Sequence, residues 1–200
     1  MARQDEAIEE VSSKHADSQL ITGPILTIPY ITKKQVKNVD GNYSTINERS
    51  FYHILPGELN INGMVTPEKR KRGIFEVVVY SSKLKVDGFF DSFDFESNRV
   101  PREGLELDKA FITVGISDLK GVRDQVMINV EDSSIMCNPG VISNDIVSSG
   151  LHISYPLDSI PKSMSFDLSL SLNGSEQLMF TRIGKVRKVN LSCRWEERRV

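Results

Sequence analysis

The chain has 200 residues, 39% of them hydrophobic and 26% charged, with a net charge of −2. That length buries a sizeable core, the composition is ordinary for a globular protein, and the charge gives no electrostatic reason to expect a nucleic-acid partner. No window approaches the ~20 apolar residues needed to cross a bilayer, and Arg3-Gln4-Asp5-Glu6 leads into a charged segment instead of the apolar centre of a signal peptide. Taken alone, this points to the cytosol; a fragment separated from its membrane segments is the alternative.

Residues 3–16 read as the main helix. Ala7, Ile8 and Val11, with His15 a turn later, lie on one stripe, and Glu6, Glu9, Glu10 and Lys14 lie on the wet side. Asp5 and Asp17 are candidate caps. Gly23-Pro24 opens a strand, ILTIPYIT, in which Pro29 implies an edge or a bulge. Residues 33–49 are polar and hold a hairpin-turn signal, Asp40-Gly41, before a strand over 51–55.

The longest β signal runs from Leu55 to Phe90. Leu59, Ile61 and Val65 oppose Asn60 and Asn62, and Thr66-Pro67 breaks the run because proline cannot donate to a ladder. After the basic hinge Lys69-Arg70-Lys71-Arg72 and Gly73, a second run begins at Ile74. Val77, Val78, Val79 and Tyr80 suggest burial on both faces, and then Leu84, Val86 and Gly88 alternate with Lys83, Lys85 and Asp87.

Residues 91–109 form a loop with Pro101 and Gly104, and 110–116 a short buried strand. A polar turn follows through Asp118 and Gly121, and 122–130 resumes as strand. Residues 131–150, centred on Asn138-Pro139-Gly140, are turn-rich and read as a flexible surface segment. A strand over 151–157 precedes the cleanest alternation in the chain: Met164, Phe166, Leu168, Leu170 and Leu172 oppose Ser165, Asp167, Ser169 and Ser171. That is an antiparallel strand with one wet face. Asn173-Gly174 turns it into 177–180, and 185–195 is the last strand. About ten short strands joined by turns, without crossover helices, predict an antiparallel β-sandwich carrying one N-terminal helix.

No residue set carries chemistry by itself. His15, His53 and His152 are the only histidines, none at metal-ligand spacing on its own element; His53 and His152 sit between apolar neighbours, as half-buried strand positions do. They would make a zinc site only if their strands were adjacent. Cys137 and Cys193 could pair, but two free thiols are the expectation, and the count identifies no compartment. Residues 69–72 suit a solvated hairpin turn, or anionic lipid headgroups if the domain sits at a membrane; without interleaved aromatics they do not suit nucleic acid. For glycosidase chemistry Glu76, Asp87, Asp91, Asp94 and Glu96 are available, but nothing singles out a pair among 27 acidic residues. There is no Gly-x-Ser-x-Gly elbow, phosphate-binding glycine loop or His-Glu-x-x-His. The expectation is no catalytic, cofactor-binding or metal-binding residue, and no enzyme.

A set of ordered blocks adds a family. Glu10-Val11-Ser12-Ser13-Lys14, Gln19, Thr22-Gly23-Pro24-Ile25-Leu26 and Ile28-Pro29-Tyr30 open it. Leu55-Pro56, Leu59-Asn60-Ile61-Asn62-Gly63, Arg72-Gly73-Ile74-Phe75-Glu76-Val77 and Val79-Tyr80 continue it. Val114-Gly115-Ile116-Ser117-Asp118-Leu119-Lys120-Gly121, Gly150-Leu151-His152 and Leu172-Asn173-Gly174-Ser175 ahead of Leu178 and Phe180 complete it. In this order the blocks resemble the CreD inner-membrane protein family across nearly the whole chain. Two positions depart from its pattern: His15 stands where a tryptophan is usual, and Glu196-Glu197-Arg198-Arg199-Val200 replaces a Pro-Ser-Phe-like continuation.

The resemblance implies one extracytoplasmic domain over 1–200 in the bacterial inner membrane, facing the periplasm. The helix over 3–16 would lead from a missing membrane anchor into a sandwich over 23–195. It implies a role in envelope integrity, tolerance of E-group colicins and stress response under a two-component system, exerted by binding an envelope protein, glycan or lipid. No catalytic residue or cofactor comes with it. The alternative is an envelope hydrolase acting on a glycan or peptide through a carboxylate pair on one sheet face.

Overall fold

The structure, a computed structural model, describes residues 16–37, 42–72 and 75–195. Among them are twelve strands: β1 (Gln19–Lys37), β2 (Tyr43–Ile54), β3 (Glu58–Arg72), β4 (Phe75–Phe90), β5 (Phe111–Ile116), β6 (Met127–Val130), β7 (Ser133–Met136), β8 (Asn138–Pro139), β9 (Gly150–Ser154), β10 (Met164–Ser175), β11 (Leu178–Phe180) and β12 (Val186–Cys193). Short 3-10 turns at Arg102–Gly104, Leu107–Lys109 and Leu119–Gly121 are the only helical pieces among the described residues. The helix expected over 3–16 lies, apart from its last residue, outside them.

Two six-stranded sheets result. In the first the order is β11-β1-β5-β9-β8, with β2 also paired to β1; in the second it is β12-β3-β4-β10-β6-β7. Their inner faces share one apolar cluster. It includes Ile25, Ile28 and Ile112 from the first sheet and Ile61, Val86, Leu168 and Leu170 from the second, each fully buried aliphatic side chain adding about 1.5–3 kcal/mol. Phe90 packs on Phe166 at 4.9 Å between ring centroids. The alternation of β10 is realised residue by residue: Met164, Phe166, Leu168, Leu170 and Leu172 are buried, and the serines and Asp167 between them reach solvent.

The sandwich expectation needs several corrections, beginning with its count of about ten strands where the described residues hold twelve. The pairing is not wholly antiparallel, since β11 runs parallel to β1 and β12 parallel to β3. The polar stretch 33–49 is no loop: β1 and β2 stay paired out to Lys37 and Tyr43, exposed on both faces and so without a hydrophobic period to read. The Asp40-Gly41 turn itself lies outside the described residues. Within 131–150, taken as flexible, Ser133–Met136 pairs with β6 and Asn138–Pro139 with β9. Finally, burial on both faces of 77–80 holds for the neighbours Val79 and Tyr80, and Val77 is buried too, but Val78 is 41% exposed.

β3 also runs on through Thr66-Pro67, and the basic run lies in it and not in a hinge. The reason is where its second neighbour stops. Arg194 donates its N–H to the Val65 carbonyl at 3.0 Å, the last bond on that side. Residues two apart face the same neighbour, so the missing N–H of Pro67 falls on the β12 side, where that pairing stops, and the β4 side of the ladder runs on through it. Pro29 repeats the device: β5 leaves β1 at Thr27, and the Pro29 carbonyl on that side takes the Glu106 N–H instead. The bulge in β1 lies earlier, between Thr22 and Ile25, where Gly23 has φ +102° and a Cβ would meet the Thr113 carbonyl at 2.9 Å.

Candidate functional site

The outer face of the second sheet is a polar surface built by β3, β4, β10 and β6. Register sets it out in rows. Asn60 on β3 pairs with Asp87 on β4, Asp87 with Asp167 on β10, and Asp167 with Asn129 on β6. The Asn60 amide donates to Asp87 Oδ2 at 3.1 Å and to Glu58 Oε1 at 3.2 Å. The Asn129 amide donates to Asp167 Oδ2 at 3.0 Å. Each aspartate thus has an amide on its outer flank and the other aspartate on its inner one, directly opposite Cβ atoms being about 4.5–5.5 Å apart.

A row above, Glu58, Phe89 and Ser165 stand side by side, and the Glu131 carboxylate accepts the Ser165 N–H. A row below come Asn62, Lys85 and Ser169, and then Met64, Lys83 and Ser171. The face carries two shallow grooves, one of about 480 Å³ lined by the aspartates, Asn60, Asn129, Lys85 and Phe89. The other is about 440 Å³, over Lys83, Arg123, Ser171 and Asn173. Chemically this is a hydrogen-bonding plane: amides, hydroxyls and carboxylates on rigid strands, with Phe89 as its aromatic platform.

The carboxylates noted in the sequence scatter. Asp87 is in the row. Asp91 faces Lys185 at 3.6 Å. Asp94 accepts the Ser97 N–H at 3.1 Å, and bonds from Ser97 hold its carboxyl below the usual range. Glu96 pairs with Arg102 at 3.4 Å, and Glu76 with Lys69 and Lys71 at the end of the β3–β4 hairpin. Asp167, the partner that Asp87 meets, was not foreseen. Its alternation with serines put it on a wet face, but only strand pairing puts it beside Asp87.

The histidines do not meet. His53 pairs with Thr27 on β1, which pairs with Phe111 on β5, while His152 lies on β9. They are three strands apart, about 14 Å. His53 instead bonds Thr27 Oγ1 at 2.9 Å and Asp145 Oδ2 at 3.4 Å, and His152 bonds the Gly140 carbonyl at 2.9 Å. Here the 140–149 loop folds back over the first sheet, leaving only about 10 Å³ between Phe111, Thr113, Ile146 and Val147. His15 lies outside the described residues. Among the described residues no three His, Cys, Asp or Glu side chains gather to hold a metal. Cys137 and Cys193 are both free, the first buried and the second exposed.

Among the described residues no helix is long and apolar enough to cross a membrane. No solved structure gives a significant match to the chain. The chain is 26% identical over 183 residues to the inner membrane protein CreD of Escherichia coli (strain K12), covering 88% of this chain and 39% of that protein. It therefore spans about two fifths of the length of that relative. The family model of the inner membrane protein CreD matches residues 1–198, and the chain belongs to that family.

Proposed function

We propose that this chain is the periplasmic, sandwich-like domain of a CreD-type inner-membrane protein, and that it works by contact and not by turnover. Its ligand is a hydroxyl-rich envelope glycan laid along the outer face of the second sheet. The Asn60–Asp87–Asp167–Asn129 row carries this reading. Amide and carboxylate groups in a line fit the vicinal hydroxyls of a sugar, and Phe89 offers one ring face to stack on. Rigid strands hold these groups with little ordering cost. A role in envelope integrity, colicin tolerance and stress response follows from occupancy of this face.

The test is titration of the chain with soluble peptidoglycan fragments, followed by amide NMR. Shifts concentrated on β3, β4, β6 and β10, and lost in Asn60→Ala/Asn129→Ala, are expected. Shifts absent at millimolar fragment, or confined to the first sheet, overturn the proposal.

One observation favours the second reading, hydrolysis: Asp87 and Asp167 are directly paired on neighbouring strands. It requires fragment cleavage that stops in both Asp87→Asn and Asp167→Asn. Binding without cleavage rules it out.

A further inference from the structure

The two ends of the described chain lie at one end of the fold. Asp17 accepts the Ser175 N–H through its carbonyl, and Ser175 pairs with Val79 on β4. At the other terminus Arg194 donates to the Val65 carbonyl, and Val65 pairs with Ser82. Both ends therefore sit three residues apart along β4, at Val79 and Ser82, about 10 Å in height. Flanking segments of a membrane protein would leave from this level.

Among the described residues the β3–β4 hairpin continues furthest beyond it, past the β10–β11 turn, where the Glu176 N–H meets the Val78 carbonyl. Lys69 lies four residues past Val65, on the order of 13 Å further out, and Lys69, Arg70 and Lys71 follow in succession, all well exposed. Their ion pairs are at the surface, Lys69 to Glu76 at 3.5 Å, Lys71 to Glu76 at 3.6 Å and Arg70 to Glu68 at 3.0 Å. Such exposed pairs are weak, and three cations share two carboxylates, so the tip remains positive. Val78, opposite Lys69, is 41% exposed, and Trp195, just past Arg194, is 48% exposed. Basic and aromatic side chains together are what the headgroup layer of a bilayer accommodates. At the far end of the molecule the β1–β2 hairpin, also lysine-bearing, points the other way, since β1 runs from the Asp17 level to Lys37.

We infer that the β3–β4 hairpin end is the membrane-facing end of the domain, and that Lys69, Arg70 and Lys71 rest on anionic lipid headgroups. This stands on family membership and on the placement of Asp17 and Arg194, independently of glycan binding by the sheet face.

The purified chain is mixed at low ionic strength with sucrose-loaded vesicles of phosphatidylglycerol or of phosphatidylcholine, and the bound fraction is read by co-sedimentation. Sedimentation with the anionic vesicles alone, fading with added salt, is expected. Lys69→Gln/Arg70→Gln/Lys71→Gln should weaken it by on the order of tenfold or more, while Lys33→Gln/Lys34→Gln/Lys37→Gln, which removes equal charge from the far hairpin, should not. No binding to anionic vesicles, equal binding to neutral ones, or loss in the far-hairpin variant instead would overturn it. Fragment titration of the same variants separates this result from that of the glycan site.

Discussion

His53 and Asp145 stand 3.4 Å apart, and through them the 140–149 loop is fastened to β2. The other ring nitrogen of His53 bonds the buried Thr27 hydroxyl at 2.9 Å. The two contacts differ in worth. Asp145 is 54% exposed, so Asp145→Ala should cost no more than about 0.5 kcal/mol. His53→Ala strips the Thr27 hydroxyl of its partner beneath the loop and should cost about 1–3 kcal/mol. Urea unfolding of both variants checks this; equal costs would mean that the Asp145 contact, and not the buried bond, accounts for the loss.

Asp87 and Asp167 are like charges placed opposite each other, an arrangement that works against the sheet by about 0.2–1 kcal/mol. Asp167→Asn should therefore raise stability by a few tenths of a kcal/mol or more and reduce glycan binding at the same time. Opposite signs for the two effects mark a surface kept for contact at a cost to the fold. Thermal unfolding and fragment titration on one sample provide both readings. A variant that loses stability shows instead that the carboxylate pair supports the sheet.

The same row shows how far the sequence could be read. Alternation in β10 and in 58–65 named the wet and dry faces correctly, because a half-buried strand must alternate. Which strands lie side by side is set by long-range pairing, so Asp167 could not be assigned to Asp87 from spacing. The β1–β2 hairpin escaped for a different reason: outside the core both of its faces are wet, and polar residues there carry no period. Pro67 reads as a strand breaker because the sequence does not show which neighbour its missing N–H faces: it falls on the β12 side, where pairing stops, while β4 stays paired. The family blocks were legible throughout because they depend on residue identity and not on pairing.

Glu106 gathers two cations at the base of the β1–β2 hairpin. Arg49 Nη2 donates to Oε1 at 3.1 Å and its Nε lies 2.9 Å from Oε2 as an ion pair without hydrogen-bond geometry, and Lys109 approaches Oε1 at 2.5 Å. The Lys109 hydrogen bond first, then Arg49, hold its carboxyl below the usual range against the opposing effect of desolvation. A carboxyl lowered in the folded state stabilises above its unfolded pKa, near 4.3, and that contribution is lost as pH falls through the folded value. Glu106→Gln should accordingly lower Tm at pH 7, with the gap from the unaltered chain closing below about pH 4. A gap that persists in acid would assign the loss to packing rather than to charge.

Cys137 and Cys193 sit at opposite edges of the second sheet, one just after β7 and the other at the end of β12. Five strand spacings, about 24 Å, separate those edges, whereas a disulfide needs Cα atoms within about 7 Å. Burial pushes the Cys137 thiol up to about 11, which leaves it almost entirely protonated at neutral pH, and the thiolate is the reactive form. A maleimide or disulfide reagent at pH 8 should therefore label the folded chain once, at Cys193, and twice in urea. Cys193→Ser should abolish labelling of the folded chain, and slow labelling of Cys137 should then report opening of the sheet edge. Two fast labels in the folded state, or none under reducing conditions, would contradict the placement of both residues.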